Sequence, residues 1–180
     1  FQASLRLIVV RGDNEDRFGI FFPHRLKERS QGRLLGGLIM SMPPHVQHPD
    51  AEGCYAYYKA LSESLDIPIM VQNYIGPIGT PMSPSLLARM CKELPRVQYI
   101  KEETFPSSRM LSATIAAAGP LCKGVFGGQG GLYLVDEYRR GSVGNMPACE
   151  IPDVQVVLWN KLEAGDMAGA RAMFNTVLPL

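Results

Sequence analysis

The stretch that decides the fold is VQYIKEET (residues 97–104), where an apolar run ends in a lysine followed by two carboxylates. Val97, Tyr99 and Ile100 are typical of a buried strand. A lysine drawn towards an apolar core costs free energy unless its charge is paired or its pKa falls. A chain tolerates that cost when the amine has a chemical task, or when the lysine reaches water at a rim.

Similar apolar runs recur along the chain at nearly regular intervals. The spacing is 30 residues from Met40 to Met70 and from Met70 to Ile100, and 26 residues from Ile100 to Phe126. The runs are continuous rather than alternating, which indicates strands covered on both faces and therefore a parallel sheet between helices. The predicted strands are LLGGLIMSM (34–42), IPIMVQN (67–73), VQYIK (97–101), GVFGG (124–128) and GSVGNMP (141–147).

The segments between these runs have helical patterns with recognisable ends. Asp50 and Ser83 are suitable N-caps, and Pro84 suits the first helical position. Gly119 and Gly141 suit the glycine position that ends a helix. The predicted helices are 50–65, 83–94, 107–119 and 132–141, with one or two more within 154–178.

Strands and helices that alternate in this way build either an open doubly wound sheet or a closed (β/α)8 barrel. The sequence has no glycine-rich dinucleotide-binding turn and no P-loop, which favours the barrel. A complete barrel takes about 250 residues, whereas this chain has 180. We therefore predict an α/β fold that is a partial (β/α)8 TIM barrel, roughly strands 4 to 8 with their helices.

The composition excludes several classes of protein. The chain is 46% hydrophobic and 19% charged, with a net charge of +1. These values are typical of a globular domain and give no reason to expect a nucleic-acid partner. No apolar run approaches the roughly 18–20 residues that span a bilayer. We therefore expect a soluble, cytoplasmic protein with no membrane partner.

The cysteines and histidines do not predict a metal site. Cys54, Cys91, Cys122 and Cys149 are all more than five residues apart, so no CxxC pair exists. His45 and His48 form an HxxH pair in a proline-rich loop, with no third ligand in view. We predict reduced cysteines, no metal and no cofactor.

Lys101 stands at the carboxyl end of its predicted strand, which is where a barrel builds its active site. Because side chains alternate along a strand, Val97, Tyr99, Lys101 and Glu103 would share the interior face. A partly desolvated amine there can be neutral, attack a ketone and form a Schiff base, which then acts as an electron sink. The alternative is a rim lysine paired with Glu102 or Glu103, and spacing alone favours that alternative.

From about residue 36 to 180, the chain resembles the dihydrodipicolinate synthase and N-acetylneuraminate lyase family of class I aldolases, which are (β/α)8 barrels. The matching stretches have the family's order and spacing: GGLIMSMPPH, IPIMVQN, VQYIKEET, VFGGQGG and GSVGNMP. The resemblance implies that Lys101 ends the sixth barrel strand and forms the Schiff base. Residues 1–35 do not match, so we expect an unmatched leader there and the C-terminal part of an aldolase-like barrel domain at 36–180.

One departure from the family concerns the end of the fifth barrel strand. The family has a proton-relaying tyrosine there, and Gln72 stands in its place, although glutamine has no titratable proton. Tyr74, two positions on, is an alternative relay. The VQ ending, the K-x-E-T motif and the RG-x-x-G-x-MP pattern most resemble the sugar-acid branch that acts on L-2-keto-3-deoxyarabonate.

The resemblance implies a hydro-lyase of sugar-acid metabolism whose partner is a small 2-keto acid. Lys101 would form an imine with the C2 ketone of a 2-keto-3-deoxy sugar acid, and dehydration would yield 2-oxoglutarate semialdehyde. Gln72 and Asn73 would bind substrate. Glu103 would contact a hydroxyl, assist proton transfer or set the charge of Lys101. Gly127 and Gly128 would let the backbone approach the substrate, or would simply form a tight turn.

Two alternatives remain open. The same lysine could serve a pyruvate-dependent aldolase or synthase, or the chain could be an inactive truncated remnant. An open half-barrel would expose sheet edges and its apolar interior. We therefore expect weak activity or none at this length, and a homo-oligomer in the full-length form.

Overall fold

The computed structural model describes residues 5–8 (backbone only), 38–44, 49–77, 79–147 and 151–178. These residues form one five-stranded sheet with six helices. The strands are β1 (Leu5–Ile8), β2 (Leu38–Ser41), β3 (Ile69–Tyr74), β4 (Val97–Glu103) and β5 (Gly124–Phe126). The helices are α1 (Ala51–Ser64), α2 (Pro84–Glu93), α3 (Ser107–Ala118), α4 (Leu134–Arg139), α5 (Pro152–Glu163) and α6 (Met167–Val177).

Strands β2 to β5 run parallel in chain order, and helices α1 to α3 form the connections between them. This is the arrangement of a partial (β/α)8 barrel and confirms the predicted fold class. Strand β1 differs because it pairs antiparallel with β2, with Leu5 opposite Ser41. It covers the edge of β2, whose backbone N–H and C=O groups would otherwise lack a strand partner. The division of the chain at residue 35 stays a prediction.

The predicted strand at 141–147 is wrong as a regular strand. The segment makes one parallel bridge, between Gly127 and Asn145. The Gly127 N–H donates to the Gly144 carbonyl at 3.1 Å, and the Met146 N–H donates to the Gly127 carbonyl at 2.9 Å. Glycine and proline disfavour a longer ladder. The segment therefore lies beside β5, where the eighth barrel strand is expected, without extending the sheet.

The predicted helix ends are confirmed. The Asp50 side chain accepts a hydrogen bond from the Gly53 N–H at 2.8 Å, and Ser83 accepts one from the Leu86 N–H at 3.2 Å. Gly119 and Gly141 adopt positive φ values of 52° and 95° where α3 and α4 end. The C-terminal pattern forms two helices, α5 and α6. None of the helices described is long and apolar enough to cross a membrane.

The two faces of the sheet have separate cores. The face towards α1, α2 and α3, here called the helix face, contributes Ile69, Val71, Ile100 and Val125 to the larger core. The opposite face, here called the inner face, carries a smaller cluster. Its members are Leu38, Met40, Met70, Tyr99, Phe126 and Met146.

The inner-face cluster is buried, each member being at most 9% exposed. The expectation that an incomplete barrel exposes its apolar interior is therefore wrong for these residues. They pack against one another, and the rings of Tyr99 and Phe126 make an edge contact with centroids 6.2 Å apart. The cluster forms the floor beneath the carboxyl end of β4.

Val97 does not share the inner face with Tyr99, contrary to the alternation expected along β4. The register between β3 and β4 shifts here, because Ile69 is opposite Val97 while Met70 is opposite Tyr99. The extra residue, Gln98, turns the Val97 side chain to the helix face, where it joins the larger core. From Tyr99 onward the predicted alternation holds.

Candidate active site

Lys101 lies at the carboxyl end of β4, two residues beyond the inner-face residue Tyr99. It is 9% exposed, and its neighbour across the ladder is Gln72 of β3. Its ammonium Nζ lies 3.2 Å from Oε1 of Glu103. The amine is therefore both buried at the mouth of the inner face and paired with a carboxylate. The alternative prediction of a rim lysine is therefore right that Lys101 pairs with a carboxylate, and wrong that the side chain is exposed to solvent.

Glu103 is the carboxylate that organises this site, and it is 5% exposed. Its Oε1 accepts the backbone N–H of Gln129 at 3.0 Å in addition to facing Lys101. Its Oε2 accepts the side-chain amide of Gln72 at 2.7 Å. Charge-assisted hydrogen bonds of this kind are stronger than those between neutral groups. Both oxygens are therefore fixed, and one of them points at the amine.

The predicted glycines lie against carboxylates. A Cβ atom at Gly128 would overlap the Glu103 carboxylate, and one at Gly127 would overlap Oε2 of Glu137. The backbone therefore lies directly against two carboxylates, that of Glu137 at Gly127 and that of Glu103 at Gly128. Any approach of substrate to this backbone stays a prediction.

Glu137 belongs to this arrangement, although the sequence did not single it out. It is 1% exposed, and it accepts hydrogen bonds from Ser107 Oγ at 2.6 Å and Asn145 Nδ2 at 3.0 Å. Burial raises the pKa of this carboxyl to about 7. The two hydrogen bonds oppose the shift, whereas the charge of Glu103 adds to it. Its position three residues after buried Leu134 was the available signal, since residues three apart share a helix face.

Asn73, predicted to bind substrate, lies on the other side of the sheet. It is fully buried, its Nδ2 donates to the Met82 carbonyl at 3.0 Å and to the Glu102 carboxylate, and its Oδ1 accepts the Met82 N–H. Asn73 follows Gln72 directly, so strand alternation turns it to the helix face. The assignment of Asn73 to the substrate site is therefore corrected: its amide fastens the loop that leads into α2.

Glu102 shares the helix face with Asn73. Its carboxylate also accepts the N–H and O–H of Thr104 and the hydroxyl of Thr114 on α3, the last at 2.9 Å. This group joins β3, β4 and α3 beneath the site. Because side chains alternate along β4, Glu103 faces the Lys101 amine, whereas Glu102 faces the helix face and bonds Asn73, Thr104 and Thr114.

The Tyr74 hydroxyl lies against Gly76 in the loop after β3. Among the residues that the structure describes, no three histidine, cysteine or carboxylate side chains are grouped to hold a metal. His45, His48 and Cys149 lie outside that part of the chain.

The chain is similar to curated proteins over most of its length. No protein-family model matches the chain. It is 30% identical over 152 residues to an L-2-keto-3-deoxyarabonate dehydratase of Azospirillum brasilense, covering 82% of this chain and 48% of that protein. It is 26% identical over 171 residues to a 4-hydroxy-tetrahydrodipicolinate synthase of Chlorobaculum parvum, covering 94% of this chain and 55% of that protein.

A solved structure shows the same fold. The crystal structure of dihydrodipicolinate synthase from Thermotoga maritima matches 79% of this chain and 48% of its own, at 25% identity and a TM-score of 0.69. The matched fold is a partial (β/α)8 barrel, and Lys101 lies buried at the end of one of its strands. The chain belongs to the dihydrodipicolinate synthase and N-acetylneuraminate lyase family. It spans about half the length of the curated relatives described above.

Proposed function

We propose that this chain carries the Schiff-base centre of a lyase that acts on small 2-keto acids, with Lys101 as the nucleophile. The observation that carries the proposal is the buried Lys101 amine, held 3.2 Å from Glu103 at the carboxyl end of β4. Glu103 is near enough to accept a proton from the ammonium, which leaves the neutral amine that attacks a ketone.

We further propose that the substrate is a 2-keto-3-deoxy sugar acid resembling L-2-keto-3-deoxyarabonate. The similarity to the dehydratase of Azospirillum brasilense supports this choice. So does Gln72, whose amide lies in the site but cannot serve as the acid or base that the family's tyrosine provides.

The proposed reaction removes one water molecule from the substrate overall, because the water lost as the imine forms is returned when the imine is hydrolysed. The Lys101 amine adds to the C2 ketone, and water leaves as the imine forms. Loss of a C3 proton gives an enamine, which expels the C4 hydroxyl as water once that oxygen is protonated. The unsaturated imine tautomerises and hydrolyses, which returns the amine and releases 2-oxoglutarate semialdehyde. Glu103 is the carboxylate placed to move protons in these steps.

A second candidate is an aldolase or synthase that uses the same lysine to break or form the C3–C4 bond. The similarity to the synthase of Chlorobaculum parvum favours it. Incubation with L-2-keto-3-deoxyarabonate distinguishes the two. A dehydratase releases 2-oxoglutarate semialdehyde, whereas an aldolase releases pyruvate.

Borohydride reduction tests the shared step. We expect the folded protein, incubated with pyruvate or L-2-keto-3-deoxyarabonate and then reduced, to gain one covalent adduct on Lys101 by peptide mass spectrometry. Lys101→Arg should gain none, because arginine stays protonated and does not form the imine. Lys161→Arg is the matched control, since Lys161 pairs with Asp166 at the surface. A folded wild-type sample that neither keto acid labels would overturn the proposal.

A further inference from the structure

Gln129 has a backbone conformation that its residue type disfavours. Its φ is +52°, and it is the only non-glycine residue with positive φ in the described part of the chain. Glycine adopts this conformation without steric cost, and three of the four residues at 128–131 are glycine. A strained glutamine among glycines points to a task for its side chain.

Two hydrogen-bond donors of Gln129 are directed at the same residue, Glu103. Its backbone N–H donates to Glu103 Oε1 at 3.0 Å, and its side-chain Nε2 donates to the Glu103 carbonyl at 2.7 Å. A glycine in the same conformation would keep the first bond and lose the second. The side-chain bond is therefore what a glutamine adds at this position.

The atom that Gln129 holds is the one that faces the amine. Oε1 of Glu103 lies 3.2 Å from Lys101 Nζ, and Oε2 is held by Gln72 at 2.7 Å. The carboxylate is thus fixed from β3 on one side and from the turn after β5 on the other. Gln72 was predicted from the sequence, whereas Gln129 was not.

We propose that Gln129 is a positioning residue: its backbone N–H holds the Glu103 carboxylate at the reactive amine, and its side-chain amide fastens the strained turn to the Glu103 carbonyl so that this N–H stays in place. The inference rests on the proposed function of Lys101 and deepens it. It assigns the alignment of Glu103, and through it the rate of imine formation, to a residue that does not contact the amine.

Gln129→Gly separates this role from a merely structural one. The variant relieves the backbone strain, so its thermal stability should equal or exceed that of the wild type. We nevertheless expect the maximal rate of imine formation with pyruvate, followed by timed borohydride reduction, to fall about tenfold. The pyruvate concentration at half-maximal rate should change little.

A double-mutant cycle shows whether Gln129 acts through Glu103. Against a Glu103→Gln background, Gln129→Gly should have little additional effect on the rate. Gln98→Ala is the control, because the Gln98 amide also donates to a backbone carbonyl, at the amino end of β4. It should leave the rate unchanged. Additive effects in the cycle, or a Gln129→Gly rate equal to the wild-type rate, would overturn the inference.

A second measurement keeps the two proposals distinguishable. Labelling of Lys101 by acetic anhydride, followed by mass spectrometry, reports the reactivity of the amine without any keto acid. If wild type forms no imine but Gln129→Gly changes this labelling rate about threefold or more, the proposed function fails and the positioning role stands. Unchanged labelling together with no imine in wild type would overturn both.

Discussion

Lys101 is 9% exposed, and the Glu103 carboxylate faces its ammonium at 3.2 Å. Such a pair is weak evidence for stability, because removing either charge from water costs several kcal/mol. The same desolvation makes the pair sensitive to small movements of either group. At the residue scale, the site therefore depends on the contacts that keep Glu103 in place.

Gly128→Ala tests that dependence. The added methyl overlaps the Glu103 carboxylate, which is held by Gln72 and Gln129 and has little room to yield. We expect a loss of about 1–3 kcal/mol in the free energy of unfolding. We also expect a marked slowing of covalent trapping at Lys101 in the protein that remains folded.

Gly130→Ala is the matched control for this substitution. Gly130 has φ +65° and nothing within 4 Å of an added Cβ. The change should cost about 1 kcal/mol of backbone strain while trapping continues at the wild-type rate. Equal slowing in both variants would mean that general softening of the loop, and not displacement of Glu103, is responsible.

At the scale of elements, local signals predicted the structure well. Caps such as Asp50 and Ser83 act on the helix that follows them, so their effect is visible in a short window of sequence. The strand predicted at 141–147 was wrong because the length of a ladder depends on neighbouring strands as well as on composition. Val97 was placed on the wrong face because a bulge at Gln98 leaves no signature in the hydrophobic pattern.

Thr114→Val tests the hydrogen bonds that join α3 to the sheet. The hydroxyl of Thr114 is fully buried and donates to Glu102 at 2.9 Å, so valine keeps the shape but removes a donor to a carboxylate. We expect a loss of about 2 kcal/mol in the free energy of unfolding, measured by urea titration.

Thr176→Val provides the comparison for Thr114→Val. Thr176 is exposed on α6, and its hydroxyl donates to a carbonyl of the same helix. Its replacement should change stability by about 0.5 kcal/mol or less. If the two valine variants were equally stable, the Glu102 network would not contribute to joining α3 and the sheet.

At the scale of the whole molecule, Glu137 couples stability to pH. It joins α4 to the start of α3 through Ser107 and to the segment beside β5 through Asn145. Burial raises its pKa from 4.5 to about 7. The folded state therefore binds more protons than the unfolded state between these values, and stability falls as pH rises through that window. By pH 7 this fall amounts to a loss on the order of 3 kcal/mol in the free energy of unfolding, relative to pH values below 4.5.

Glu137→Gln should remove this pH dependence. Glutamine stays neutral and still accepts a hydrogen bond from Ser107. Asn145 Oδ1 is buried without a partner among the described residues. If the Asn145 amide flips, this oxygen can accept a hydrogen bond from the new glutamine amide. Urea unfolding should show the variant more stable than wild type at pH 8 and nearly equal at pH 4.5. Glu63→Gln, at an exposed site, should follow wild type. A pH-independent difference between Glu137→Gln and wild type would contradict the assignment.

The candidate site was predictable only in part. Lys101, Glu103 and Gln72 lie on adjacent strands whose alternation can be read from the sequence. Gln129 and Glu137 reach the site through the packing of distant segments. No local pattern marks Gln129, and the helical spacing from Leu134 predicts that Glu137 is buried without showing which residues it contacts. Asn73 was misassigned because its neighbour faces the site while it does not. The homo-oligomer and the cytoplasmic location stay predictions.

The amine and its carboxylate are two residues apart on one strand. The backbone repeat of β4 therefore brings the two groups near each other, while Gln72 and Gln129 fix the orientation of the carboxylate. Insertions in loops other than the turn at 128–131 would alter what enters the site while leaving this reactive unit intact. Transplanting residues 99–103 to another parallel strand would carry the pair across, and partners equivalent to Gln72 and Gln129 would have to be supplied there to hold the carboxylate.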